Sequence, residues 1–140
     1  MRREAGPLRI LVVEDDDGDA MMIREALEGV TTPATLHRVA DGEQALEFLR
    51  QPSDGRPDMI LLDLNMPRMD GRETLVALKR DPDLKSIPVI ILTTSDDIRD
   101  VAGMYQEHAN AFVTKPMDFD ALEAVVQQIR RFYENVAVLP

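Results

Sequence analysis

The sequence predicts an α/β fold: a doubly wound (βα)5 three-layer sandwich built on a five-stranded parallel sheet. Three observations point to it. Leu8–Val13, Met59–Leu64 and Ile87–Leu92 are nearly continuous apolar runs of strand length, the pattern of strands covered on both faces. Between them lie segments whose apolar residues recur at helical spacing. Pro33, Gly42, "PSDG" (52–55), Pro57, Gly71, Pro82, Pro88 and Pro116 fall between the runs as punctuation. The 140 residues are enough for one domain with a real core. Right-handed crossovers turn five strand–helix alternations into a sheet with helices on both faces.

In chain order, the strand Leu8–Val13 precedes a helix marked by Ile23, Leu27 and Val30. Thr35–Ala40 mixes Leu36 and Val39 with His37 and Arg38, which suits an edge strand, and Ala45, Phe48 and Leu49 mark the second helix. The central strand Met59–Leu64 leads to a helix with Leu75 and Leu78, and Ile87–Leu92 to one with Ile98, Ala102, Tyr105 and Ala109. The short run Ala111–Thr114 is the other edge, followed by Leu122, Val125, Val126, Ile129 and Phe132 on the last helix. Residues 1–134 thus form the domain. Residues 135–140, "NVAVLP", form an apolar tail that either folds back on the last helix or, since exposed apolar surface of that kind usually marks an interface, is expected to serve as a dimerisation arm.

The formal net charge of -10 works against nucleic acid or an anionic membrane as partner, since phosphate binding needs concentrated positive charge. With no cysteine, disulfides, thiolate metal sites and thiol nucleophiles are excluded. The amino terminus is polar and no apolar run approaches ~18 residues, so a cytoplasmic protein is expected.

Chemistry concentrates at the strand ends. In a parallel doubly wound sheet, ligands bind outside the carboxyl ends of the strands. There the first run ends in Glu14, Asp15 and Asp16, the second in Asp63, the third in Thr93 and Thr94, and the last in Lys115. Two carboxylates 4 Å apart repel by ~1 kcal/mol in water and ~4 kcal/mol at an effective dielectric near 20, so the acids call for a cation. Hard oxygen ligands favour Mg²⁺, held by one or two carboxylates with waters and an incoming phosphate. Glu14, Asp15 and Asp63 fit that description. Asp63 is the candidate covalent nucleophile toward phosphorus, with Lys115 and Thr93 placed to meet phosphoryl oxygens. Asp16, Asp17 and Asp19 read as a solvated loop, with Asp17 or Asp19 available to cap the first helix. Met66 and Met69 border the site and are candidate partner contacts, while His37 and His108 read as surface or edge residues. A calcium loop fails, because placing Gly18 at its sixth position puts Val13 and Arg24 where acids are required. No G-x-G-x-x-G follows the first strand, which argues against dinucleotide binding.

"ILVVEDD" (10–16), "ILLDLNMPRMDG" (60–71), "VIILTTS" (89–95) and "AFVTKP" (111–116), in that order and spacing, resemble the receiver domains of two-component response regulators. The resemblance implies a flavodoxin-like strand order 2-1-3-4-5. It implies Asp15 as a direct Mg²⁺ ligand, Glu14 acting mostly through water, Asp63 as phosphoacceptor and ligand, and the backbone carbonyl of Asn65 as a further ligand. Thr93 matches the switch hydroxyl, Phe112 the aromatic switch position, Lys115 the phosphate-binding lysine, and Pro116 a proline that is usually cis. It further implies phosphoryl transfer from a sensor histidine kinase, catalysed by the receiver on itself alone, and a homodimer through the fourth helix, fifth strand and fifth helix. "ALEFLR", "LKRDPDLKSIPVIILTTS" and the "VAVLP" tail resemble small regulators paired with phytochrome-type kinases.

Two other functions compete with this signalling switch. A metal-dependent phosphatase working through an aspartyl-phosphate needs a second Asp two residues after the nucleophile, and Asn65 stands there. A phosphate-independent scaffold is the other.

Overall fold

A computed structural model describes residues 8–28, 34–51, 56–94 and 98–136. The elements alternate as expected: β1 (Leu8–Val13), α1 (Asp17–Glu28), β2 (Ala34–Val39), α2 (Gly42–Leu49), β3 (Met59–Leu62), α3 (Gly71–Arg80), β4 (Val89–Thr93), α4 (Ile98–Gln106), β5 (Ala111–Thr114) and α5 (Phe119–Arg131). A π-helical turn, Phe132–Val136, continues α5. The sheet order is β2-β1-β3-β4-β5, every pair parallel. This is the doubly wound flavodoxin-like order.

Alternation along the central strands divides the core. Leu11, Val13, Ile60, Leu62, Val89 and Ile91 pack with residues of α2, α3 and α4 such as Leu46, Leu75, Leu78 and Met104. Their neighbours Ile10, Val12, Met59, Leu61, Ile90 and Leu92 pack with Ile23 and Leu27 of α1 and Leu122 and Val126 of α5. Burial on both faces explains why these strands read as unbroken apolar runs. On the first face α2 and α3 approach closely. A Cβ on Gly42 would lie 1.9 Å from Oγ1 of Thr74 and 2.9 Å from Cγ of Met69, so a larger residue at this helix start must displace both side chains.

Several expected boundaries shift. Strand β4 starts at Val89 rather than Ile87, because Pro88 has no N–H to donate; its carbonyl still accepts from Ile60 N at 2.9 Å. Strand β3 stops at Leu62, where the chain turns toward the sheet rim, yet Leu64 stays in the core. Helix α4 ends at Gln106, and His108 takes the left-handed conformation (φ 72°) in a C-terminal turn where Ala109 N bonds Met104 O at 3.0 Å. Ala109 therefore enters the core from a turn rather than from the helix. Phe132 is half-exposed and does not extend the buried stripe of α5. Val30 and residues 137–140 lie outside the described residues, and with them most of the tail expected to act as a dimerisation arm.

Helices α1 and α5 are joined by a group that the sequence did not mark. Arg130 is 1% exposed; its Nη1 donates to the Leu27 carbonyl at 2.7 Å and its Nε to Glu134. A cation at the end of α1 satisfies an orphan carbonyl and complements the helix dipole. Among the described residues, no helix is long and apolar enough to cross a membrane.

Candidate functional site

Parallel pairing carries the acids to one rim. The Glu14 amide donates to the Val39 carbonyl at 3.0 Å, and the Asp63 amide to the Val13 carbonyl at 3.0 Å, so each residue continues its strand's ladder by one step. Glu14, Asp15 and Asp63 each place a carboxylate oxygen within 4.8 Å of the others. Glu14 is 2% exposed and Asp63 8%, whereas Asp15 lies open to solvent. Three hard oxygen donors, two of them partly withdrawn from water, match a small divalent cation. The set fits Mg²⁺ or Mn²⁺.

Lys115 reaches the same place from the end of β5. Its amide donates to the Thr93 carbonyl at 2.5 Å, and its ammonium lies 2.5 Å from Oε1 of Glu14 and 2.8 Å from Oδ2 of Asp19. Burial lifts the pKa of Glu14 to about 7 despite the Lys115 hydrogen bond, and the charge of Asp63 adds to the rise. Burial also acts against the Lys115 charge, but the carboxylates of Asp19, Glu14 and Asp63 outweigh it and hold the lysine pKa above its ordinary value. The ammonium stays charged, and it supplies part of the cation that the acids call for.

The remaining expected residues are placed around this centre. Oδ1 of Asp63 accepts from the Leu64 amide at 2.9 Å. Thr93 is fully buried at the end of β4. Phe112 is half-buried, pairs with Ile91 in register, packs against the α3–α4 side of the core, and donates its amide to the Tyr105 hydroxyl at 3.1 Å. Asn65 is exposed in the loop after β3.

The acidic loop differs from expectation. Asp16, not Asp17 or Asp19, caps α1, its Oδ1 accepting from Gly18 N at 2.8 Å and Asp19 N at 3.4 Å. Counting back from α1, which starts at Asp17, Asp16 occupies the capping position, where a side chain meets the second and third amides. Asp17 pairs with Arg38 at 2.8 Å, and Asp19 is an ion-pair partner rather than solvated loop. Met66 is 9% exposed and packed in the core, so it does not border the site as a surface contact. His37 sits exposed on edge strand β2 and stacks on Phe48 with ring centroids 4.1 Å apart. No peptide bond among the described residues is cis, so the Lys115–Pro116 bond is trans, the form favoured by about 0.5–1 kcal/mol in X–Pro bonds.

Sequence reasoning missed two clamps. Arg38 Nε donates to the Glu14 carbonyl at 2.8 Å while its Nη1 holds Asp17, fixing the β1–α1 loop to the end of β2. Arg68, at φ 61°, donates from Nε and Nη2 to Oδ2 of buried Asp41 at 2.9 and 2.6 Å, tying the loop after Asp63 to the start of α2. A basic residue at the end of an edge strand next to an acidic loop was the available signal for the first. The second had none, because Asp41 and Arg68 are joined only by the fold.

Residues 10–127 match the model of the response regulator receiver domain. The chain belongs to this family. Among relatives of this receiver, the response regulator Rcp1 of Synechocystis sp. is 41% identical over 145 residues, spanning 100% of this chain and 99% of Rcp1. The crystal structure of the phosphorylated cyanobacterial phytochrome response regulator RcpA matches with a TM-score of 0.92 at 41% identity, covering 96% of this chain and 99% of that one. The Mn²⁺-bound form of Rcp1 matches at 0.88 and 41%, again over 96% and 99% of the two chains. A response regulator in red light signaling of R. palustris matches at 0.87 with 32% identity, with the same coverage. The chain is thus a receiver-domain response regulator, a component of two-component signalling.

Proposed function

We propose that this receiver accepts a phosphoryl group on Asp63 from a sensor histidine kinase of the phytochrome type, in a Mg²⁺-dependent reaction that it catalyses only on itself. The observation that carries this reading is the meeting of three carboxylates within 4.8 Å, one of them Asp63, beside the buried ammonium of Lys115. Glu14, Asp15, Asp63 and the backbone carbonyl of Asn65 would hold the ion, Glu14 acting mostly through water. A bound Mg²⁺ would supply positive charge to offset that of the transferring phosphoryl oxygens. With Oδ1 of Asp63 held by the Leu64 amide, Oδ2 is left to attack phosphorus. A bond forms between that oxygen and phosphorus as the donor's bond to phosphorus breaks, and its electron pair leaves with the donor group.

Lys115 and the Thr93 hydroxyl then meet the phosphoryl oxygens. Movement of Thr93 is passed to Phe112, which lies in the next strand and is tied through its amide to Tyr105 of α4. The α4–β5–α5 face changes as a unit, a charge-driven two-state switch. Tyr105 and Phe132, each about half-exposed, supply apolar surface there for a homodimer, with residues 135–140 as an arm. The protein acts in the cytoplasm, where its kinase partner presents phosphohistidine, and its acidic surface engages neither nucleic acid nor membrane.

Incubation with Mg²⁺ and acetyl phosphate, resolved by phosphate-affinity electrophoresis, tests the reading. The wild type shifts, and Asp63→Asn or removal of Mg²⁺ by chelation abolishes the shift. An unshifted wild type overturns it. Sedimentation of the full chain and of a chain ending at Asn135 tests the arm, whose loss weakens the dimer.

A further inference from the structure

We infer that Asp19 is a positioning residue that competes with the phosphoryl group for Lys115, and so sets how readily the receiver enters its phosphorylated state. The inference rests on the proposed phosphoacceptance at Asp63. An ammonium has three N–H donors, and in Lys115 two of them are taken, by Glu14 at 2.5 Å and Asp19 at 2.8 Å. A phosphoryl group on Asp63 brings new negative oxygens to the same cation, and Lys115 must then give up part of its existing contacts. The two carboxylates are not equally easy to leave. The Glu14 side chain is 2% exposed and has no access to water when Lys115 moves away, whereas the Asp19 side chain is 24% exposed and returns to water at little cost.

Asp19 is therefore the contact that breaks. It is held in place independently of Lys115, since its amide is bonded by the capping Asp16 and its residue lies in the first turn of α1. A helix start whose backbone is held by its cap thus presents a water-accessible carboxylate to a lysine that a phosphoryl group also needs. Neutralising Asp19 removes the competitor while leaving Glu14 to keep Lys115 at the site.

The test is titration of the receiver with beryllofluoride in the presence of Mg²⁺, followed by NMR, for wild type, Asp19→Asn, Asp19→Glu and Glu25→Gln. The last removes one exposed negative charge from α1 away from Lys115 and accounts for net charge. Asp19→Asn is expected to lower the half-saturating concentration roughly threefold to fivefold, the weight of a partly exposed ion pair. Asp19→Glu restores the wild-type value, which a purely structural role in the helix cap would not produce, and thermal unfolding of the same variants separates folding from binding. An Asp19→Asn value equal to that of Glu25→Gln, or weaker binding than wild type, overturns the inference while the saturable wild type leaves the proposed function standing. A wild type that binds no beryllofluoride overturns both.

Discussion

Oε1 of Glu14 lies 2.5 Å from Nζ of Lys115, a contact between residues 101 positions apart that joins the first strand of the sheet to the last. Both side chains are almost fully buried. Breaking such a pair leaves an uncompensated charge, which costs about 3–5 kcal/mol. Lys115→Ala is therefore expected to destabilise the metal-free protein by up to that amount, with the full effect above neutral pH. With the lysine gone, the folded chain holds Glu14 protonated to a higher pH than wild type does, because the Lys115 contacts that lower the wild-type value to about 7 are lost. The deficit consequently grows as pH rises through about 7 and shrinks as it falls below that value. Urea unfolding of both proteins on either side of that value measures the difference.

Asp41 carries the opposite shift. Its carboxylate accepts from the Gln44 amide at 2.9 Å as the cap of α2 and takes two donors from Arg68, so its pKa is held below its ordinary value, the capping bond counting most and outweighing burial. A depressed carboxylate adds stability above its unfolded pKa and loses it as pH falls through the folded value. Asp41→Ala is expected to cost about 1–2 kcal/mol at neutral pH, as for other lost caps. Asp41→Asn keeps a capping oxygen, and its stability falls less steeply than that of wild type on the acid side. Chemical denaturation from neutral pH down to about pH 3 reads both effects.

Gly71 couples a helix start to Asp63, the proposed phosphoacceptor. A Cβ there would lie 2.2 Å from the Asp63 carbonyl oxygen and 2.7 Å from Cα of Leu64, both backbone atoms that cannot swing aside. Gly71→Ala must displace Asp63 itself. A stability loss of about 1–3 kcal/mol is expected from the overpacking, together with a larger proportional loss of phosphorylation rate. Denaturation and acetyl phosphate kinetics on the same protein check the pair.

His108 pays for its left-handed backbone, a conformation that favours glycine after a helix end. His108→Gly is expected to raise stability by about 0.5–1 kcal/mol without altering phosphorylation, read as a higher melting temperature.

Much of this was legible in the sequence for a definite reason. The central strands are covered on both faces, so Leu8–Val13 and Met59–Leu62 stand out as apolar runs, and acids directly after such runs must come to the rim of a parallel sheet. Glu14, Asp15 and Asp63 could be found that way, before any partner was known. Pairings between side chains were not legible. Asp19 and Lys115 are 96 positions apart, and nothing in the acidic run distinguishes Asp19, which meets the lysine, from Asp17, which meets Arg38. The capping Asp16 was hidden in the same way, since three consecutive aspartates offer three possible helix starts and only the backbone selects one. Arg130 is not legible either, because in the pair Arg130–Arg131 at a helix end both side chains read as solvent-facing, whereas the end of α1 supplies an acceptor to the first.

The central claim is that Asp63 is the phosphoacceptor, and the site of modification tests it most directly. Borohydride reduces an aspartyl-phosphate to homoserine, so reduction after treatment with acetyl phosphate and Mg²⁺, followed by peptide mass spectrometry, locates the modified residue. Homoserine is predicted at position 63 alone, and only when Mg²⁺ was present. Homoserine at Asp15, Asp16 or another carboxylate, or at no position in the wild-type protein, would contradict the account.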